Sequence, residues 1–220
     1  MQRKSFGIIL IVAIGAIETS GASAQTCTPP AGFVDTPHPE IAPIEQLLSH
    51  VEEVTIERPL AALLAQGSRA RLEQTIDRTS GLPGVVGTQR LTQGPFQAGT
   101  RRLVCLTDGS TVVEQVLLIE DRPGRHHFRY VVWKYTSPKF PPIRYAVGEF
   151  VRTTVSDMRT HVRWTYSFQP DRQKYPEYLG GYSDARFRES FLEGEFAQWM
   201  RNTLASGKKR AEEDIAPAGG

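Results

Sequence analysis

A long succession of strand-length segments followed by a single long helix constrains this chain most. From residue 85 to 169 the sequence breaks into β-rich runs at 85–91, 101–107, 111–120, 127–135 and 145–155. In a further, final run at 161–168, Val162, Trp164, Tyr166 and Phe168 alternate with His161, Arg163, Thr165 and Ser167, the period of a strand with one buried face. Asp108-Gly109 and Pro123-Gly124 are turn dipeptides between runs, and Pro170 ends the series. Beyond Gly180-Gly181, Ser183 or Asp184 can cap a helix reaching about Ala211. Its apolar stripe is Phe187, Phe191, Leu192, Phe196, Trp199, Met200 and Leu204. Ahead of the strand series, a partly alternating strand at 51–57 stops at Pro59. A short helix at 60–65 ends at Gly67, and a second helix is expected from Ser68 to about Thr79, carrying Leu72 and Ile76. This order predicts an α+β fold, in which a highly curved antiparallel sheet of about seven strands wraps the long helix in its concave face.

The amino-terminal end reads as an address. Arg3 and Lys4 precede an apolar run from Phe6 to Ile17, and Ala22-Ser23-Ala24 forms a small-x-small site ahead of Gln25. These are the parts of a cleavable secretory signal peptide over 1–24. The run is shorter than the roughly 20 apolar residues of a membrane span. Thr26 stands before Cys27, where a lipidated cysteine is normally preceded by Gly, Ala or Ser. No later segment is long and apolar enough to cross a membrane. The mature chain is therefore expected to be periplasmic or secreted, with no stable membrane insertion. A net charge of +2 argues against nucleic acid as a partner. Pro29, Pro30, Pro37, Pro39 and Pro43 mark 25–50 as a flexible or extended leader, with one domain at 51–212 and a flexible tail at 213–220. Cys27 and Cys105 are the only cysteines. An exported chain permits a bridge between them, but with Cys27 in a loose leader a buried free thiol at Cys105 is the preferred expectation.

Catalytic signatures are sparse. His126 and His127 are adjacent and point to opposite faces of a strand, so they cannot share a metal, and His38, His50 and His161 lack ligand-spaced partners. There is no Gly-x-Ser-x-Gly elbow, and Gly81, Gly84 and Gly87 do not match a phosphate-cradling loop. No metal site and no cofactor are expected. Glu114, in an otherwise mostly apolar run, has two readings: a ligand-contacting or acid/base carboxylate, or a structural partner of Arg101 or Arg102. Tyr130, Tyr145, Trp164 and Tyr166 are candidate cavity or core rings, Trp164 favouring core.

Four stretches taken together resemble the helix-grip superfamily also called START-like or SRPBCC, and within it the polyketide cyclase/dehydrase type. They are Gly99 to Leu103 leading to Thr107-Asp108-Gly109, Val113 to Asp121, the pair Tyr145 to Phe150 and Thr160 to Pro170, and Phe196 to Glu212. The resemblance implies a cavity between sheet and helix for an apolar ligand. It places Leu103, Cys105, Val112, Glu114, Phe128, Tyr130 and Tyr145 on the cavity wall, with Leu192, Phe196 and Met200 from the helix. The longer gate of the hormone-receptor-like members is missing at Asp108-Gly109. The first expectation is thus an exported binding protein or carrier for a small hydrophobic molecule or lipid. The alternatives are a cyclase/dehydratase-type enzyme using Glu114, and an accessory protein to a periplasmic dehydrogenase.

Overall fold

The structure, a computed structural model, describes residues 27–67, 72–76, 81–177 and 182–213. The expected signal peptide lies outside the described residues. Seven strands form one antiparallel sheet: β1 (Leu48–Ile56), β2 (Val85–Arg90), β3 (Arg101–Leu106), β4 (Thr111–Arg122), β5 (Arg125–Trp133), β6 (Ile143–Ser156) and β7 (Arg159–Pro170). Their order is β1-β7-β6-β5-β4-β3-β2. Helix α1 (Leu60–Gly67) and a single 3-10 turn (Leu72–Gln74) lie between β1 and β2. Within the described residues that turn is all that forms of the second helix expected from Ser68 to Thr79; 68–71 and 77–80 lie outside them.

The sheet curls because its strands are long and interrupted by bulges, at Val116/Leu118 in β4, at Ile143/Tyr145 and Thr154/Ser156 in β6, and at Val85/Gly87 in β2. The β3–β4 hairpin turns at Asp108-Gly109, where Gly109 takes a φ of 81° and Asp108 Oδ1 accepts from the Ser110 backbone N–H at 3.1 Å.

The long helix α2 spans 184–213. Its start is capped by Ser183, whose hydroxyl accepts from the Arg186 N–H. It runs as α over Asp184–Arg186, as a π-helix over Phe187–Phe196, and again as α over Ala197–Glu213. The wide stretch changes which residues share a face. At 100° per residue, Phe187 and Phe196 would point in opposite directions. At the roughly 4.4 residues per turn of an i→i+5 helix, they align, with Phe191 and Leu192 to either side. All four side chains are buried against the sheet, and Met200 continues the row. Each such side chain contributes about 2 kcal/mol by leaving water.

The convex face is covered as well, by the leader. Cys27 forms a disulfide with Cys105 on β3, with Cα atoms 5.5 Å apart. The free thiol expected at Cys105 is therefore corrected. The proline content that excludes helix does not keep the leader loose, because its contacts fix it. Asp35 pairs with Arg101 at 3.0 Å, the Ala42 N–H donates to the Tyr145 hydroxyl at 2.8 Å, and Lys134 Nζ donates to the Val34 carbonyl. Phe33 lies under the Lys134 ammonium, and Ile41 packs on the convex core. No helix among the described residues is long and apolar enough to cross a membrane.

Candidate functional site: an aromatic cavity under the helix

Between the concave face and α2 the side chains leave a cavity of about 80 Å³. Strand pairing puts its wall together. Val112 and Glu114 on β4 sit opposite Val104 and Arg102 on β3, and Glu114 lies opposite Val132 on β5. Tyr130 crosses to Gly148 on β6, which in turn pairs with Tyr166 on β7. From the helix, Phe196 and Trp199 close the space, and Tyr135, Phe140, Leu82 and Val85 complete it. A larger depression of about 430 Å³ lies at the far end of α2, but it is open and edged by Lys208–Glu212 and Lys209–Glu213 ion pairs.

Gly148 is what lets Tyr130 lie where it does. A Cβ there would stand 2.1 Å from Tyr130 Cζ, so only glycine leaves room for the ring. Tyr130 in turn stacks on Phe128 at 5.4 Å and meets Tyr166 edge-on at 6.0 Å. Tyr135 reaches the cavity through a break in alternation. Trp133 belongs to the convex core, and regular extended backbone would send Tyr135 the same way. Lys134 takes a left-handed φ of 57°, which turns Tyr135 inward to meet Phe140 at 5.1 Å.

Five of the sequence-predicted residues line the cavity: Val112, Glu114, Tyr130, Tyr166 and Phe196. Leu192 and Met200 are buried in the same core, and Phe128 packs against it, without reaching the wall. Leu103, Cys105 and Tyr145 face the other way, into the convex core beneath the leader; their expected facing is corrected. Alternation gives the reason, since Val104 and Leu106 are the β3 residues turned toward the helix. Sequence reasoning did not pick out Tyr135, Phe140 or the cavity role of Trp199. The helical stripe contained Trp199, whereas Tyr135 depends on a backbone conformation that no local motif announces.

Glu114 is 6% exposed and accepts two hydrogen bonds on one oxygen, from Arg102 Nε at 2.9 Å and Nη2 at 2.6 Å. This is the structural pairing named as one of its two readings, and it leaves the pair electrically balanced. Burial pushes the phenols of Tyr130, Tyr135 and Tyr166 well above their ordinary 10. For each of the three, the nearby Glu114 carboxylate adds to that direction. At neutral pH the three hydroxyls keep their protons and serve as hydrogen-bonding groups rather than bases. His126 and His127 are spent on carboxylates, Asp121 at 2.7 Å and Glu149 at 2.5 Å.

The fold has solved counterparts. The Zhui aromatase/cyclase from Streptomyces sp. R1128 superposes with a TM-score of 0.56 at 18% identity, over 79% of this chain and 99% of that one. Ara h 8.0201 gives 0.52 at 14% identity, over 75% and 97%. A hypothetical protein of Helicobacter pylori gives 0.53 at 10% identity, over 81% and 99%. At these identities the likeness establishes the helix-grip fold and nothing finer. No protein-family model matches the chain, and no curated protein matches it.

Proposed function

We propose that this protein is exported and binds a compact hydrophobic molecule in the cavity between the sheet and α2. The carrying observation is the cavity itself: bounded by strands and helix, walled by aromatic and aliphatic side chains, and furnished with a few polar groups. Its size sharpens the reading. Drug-sized ligands occupy roughly 300–1,000 Å³, and an engineered apolar cavity of roughly 150 Å³ in another protein holds benzene. About 80 Å³ suits a short branched chain, or one ring after small side-chain shifts, better than a lipid or polyketide. The Arg102–Glu114 pair and the protonated tyrosines favour holding a ligand over acid/base turnover of it. Export is supported by the signal-like first 24 residues and by the Cys27–Cys105 bridge, a bond kept in oxidising compartments.

Native mass spectrometry of the purified protein and thermal melting with a panel of small apolar compounds test the binding. A co-purified small molecule or a raised melting temperature is expected; neither appearing across the panel overturns the reading. Cell fractionation with amino-terminal sequencing tests export, with Gln25 expected as the first residue of the mature chain.

A further inference from the structure

Glu114 meets its partner with one oxygen only. Both Arg102 donors, Nε and Nη2, reach Oε1. Among the described residues nothing donates to Oε2, although Glu114 is a buried side chain on the cavity wall. Nor is Oε2 sealed in the packing: it keeps accessible surface, unlike the partnerless indole nitrogens of Trp133, Trp164 and Trp199. With the rest of the side chain buried, that surface opens on the cavity. Strand register sets the surroundings. Arg102 is the direct cross-strand partner of Glu114 on β3, and Val132 its partner on β5. Tyr130, two residues from Val132 on the same face, is its diagonal neighbour, within reach of long side chains.

The chemistry of Oε2 decides what can answer it. An ionised carboxylate oxygen only accepts hydrogen bonds. Among the described wall residues Glu114 is the only charged one, and Arg102 already balances it. A bound cation would therefore leave a net positive charge in apolar surroundings, and a bound carboxylate would meet a like charge. A ketone, an ether or a hydrocarbon brings no donor. A hydroxyl brings one donor and no charge, and its lone pairs can accept from the phenols on the wall. The Tyr166 hydroxyl neighbours those of Tyr130 and Tyr135, and all three keep their protons at neutral pH.

We propose that the ligand of this cavity is a small neutral alcohol or phenol, whose hydroxyl donates to Glu114 Oε2 while its branched chain or single ring packs on the aromatic wall. This rests on the binding function proposed above and names the chemical class of its ligand. Arg102 is the positioning residue. Its two bonds to Oε1 hold the carboxylate with Oε2 turned to the cavity.

The test compares near-isosteric probes by calorimetry on the purified protein: phenol with toluene, and 3-methylbutan-2-ol with 3-methylbutan-2-one and 3-methylbutan-2-amine. Phenol and the alcohol are expected to bind at least about tenfold more tightly than their counterparts, the size of one hydrogen bond to a charged group. Glu114→Gln gives the second readout. Its amide oxygen keeps the Arg102 bonds, so its NH2 stands where Oε2 was and offers donors instead of an acceptor. The advantage of the alcohol over the ketone should then vanish, since both can accept, while toluene binding stays. The wild-type comparison keeps the proposal falsifiable if Glu114→Gln does not fold. Toluene matching phenol, a ketone or amine matching the alcohol in the wild type, or an advantage over the ketone that survives Glu114→Gln overturns this inference and leaves the binding function standing. Binding of none of the probes overturns both.

Discussion

The two faces of the sheet are covered by different means. The convex face carries Leu103, Val113, Val131, Trp133, Tyr145 and Val147, and an irregular, proline-rich segment lies over them. That segment has little regular structure of its own, and beside its apolar contacts it is fastened at discrete points: a disulfide, an Asp35–Arg101 ion pair and a hydrogen bond to Tyr145. The concave face is covered by one long helix through Phe187, Phe191, Leu192, Phe196 and Met200. Polar contacts there cluster near the helix ends, Asp184 with Arg172 and Glu212 with the Glu57 backbone N–H, with Arg201–Glu52 between. A cover made of rings on rings leaves space where large flat groups meet, whereas a thin segment pinned at discrete points follows the surface beneath it. The cavity accordingly lies on the helix side.

The largest expected effect tests the convex side. Reducing the bridge, or replacing Cys27 by Ser and Cys105 by Ala, releases a 78-residue separation. Chain-entropy reasoning assigns a loop of that length about 4.5 kcal/mol. Thermal melts with and without reductant should show a drop of that order, with probe binding on the concave side retained well below the transition. An unchanged melting temperature would show that the leader's other contacts suffice. Next is Gly148→Ala, which forces Tyr130 off its seat. A loss of about 2 kcal/mol is expected, as for other overpacked cores, together with altered probe affinity. Combining it with Tyr130→Val should recover part of the loss in a double-mutant cycle; strict additivity would break the account of Gly148.

The smallest effect lies at the helix ends. The Arg172 guanidinium beside Asp184 holds its carboxyl below the ordinary 3.8, and the Glu57 backbone N–H holds Glu212 below 4.5. Carboxyls depressed in the folded state add stability that is present above those ordinary values and is lost as pH falls through the lower folded ones. Melting temperature should therefore drop below about pH 4.5, with Arg172→Ala flattening the Asp184 share. Both carboxyls are partly exposed, so added salt should shrink the effect.

Sequence period alone carried much of the architecture. The alternation Val162, Trp164, Tyr166, Phe168 marks β7 and its inner face, since His161, Arg163 and Thr165 opposite are polar. The stripe from Phe187 to Met200 marks the helix, although its spacing fits the face only once the π-helical stretch is allowed for. β3 could not be read that way. Leu103, Val104, Cys105 and Leu106 are all apolar because both faces of that strand are buried, one by α2 and one by the leader, so period 2 vanishes where the choice of face was needed. Tyr145 to Gly148 on β6 poses the same ambiguity. The disulfide was equally hidden. A run of prolines says which regular structures cannot form, and says nothing about what a segment without them rests on.

The bridge also fixes Cys27 on the convex side of the molecule. The sheet lies between that residue and the cavity, so a group joined there starts from the face opposite the helix. The carboxyl-terminal end of α2 lies beside β1, where Lys208 reaches the Thr55 carbonyl. A dye, surface tether or fusion partner joined just ahead of Cys27 is thus shielded from whatever enters beneath the helix. The same attachment behind Glu213 hangs from the helix that borders the cavity.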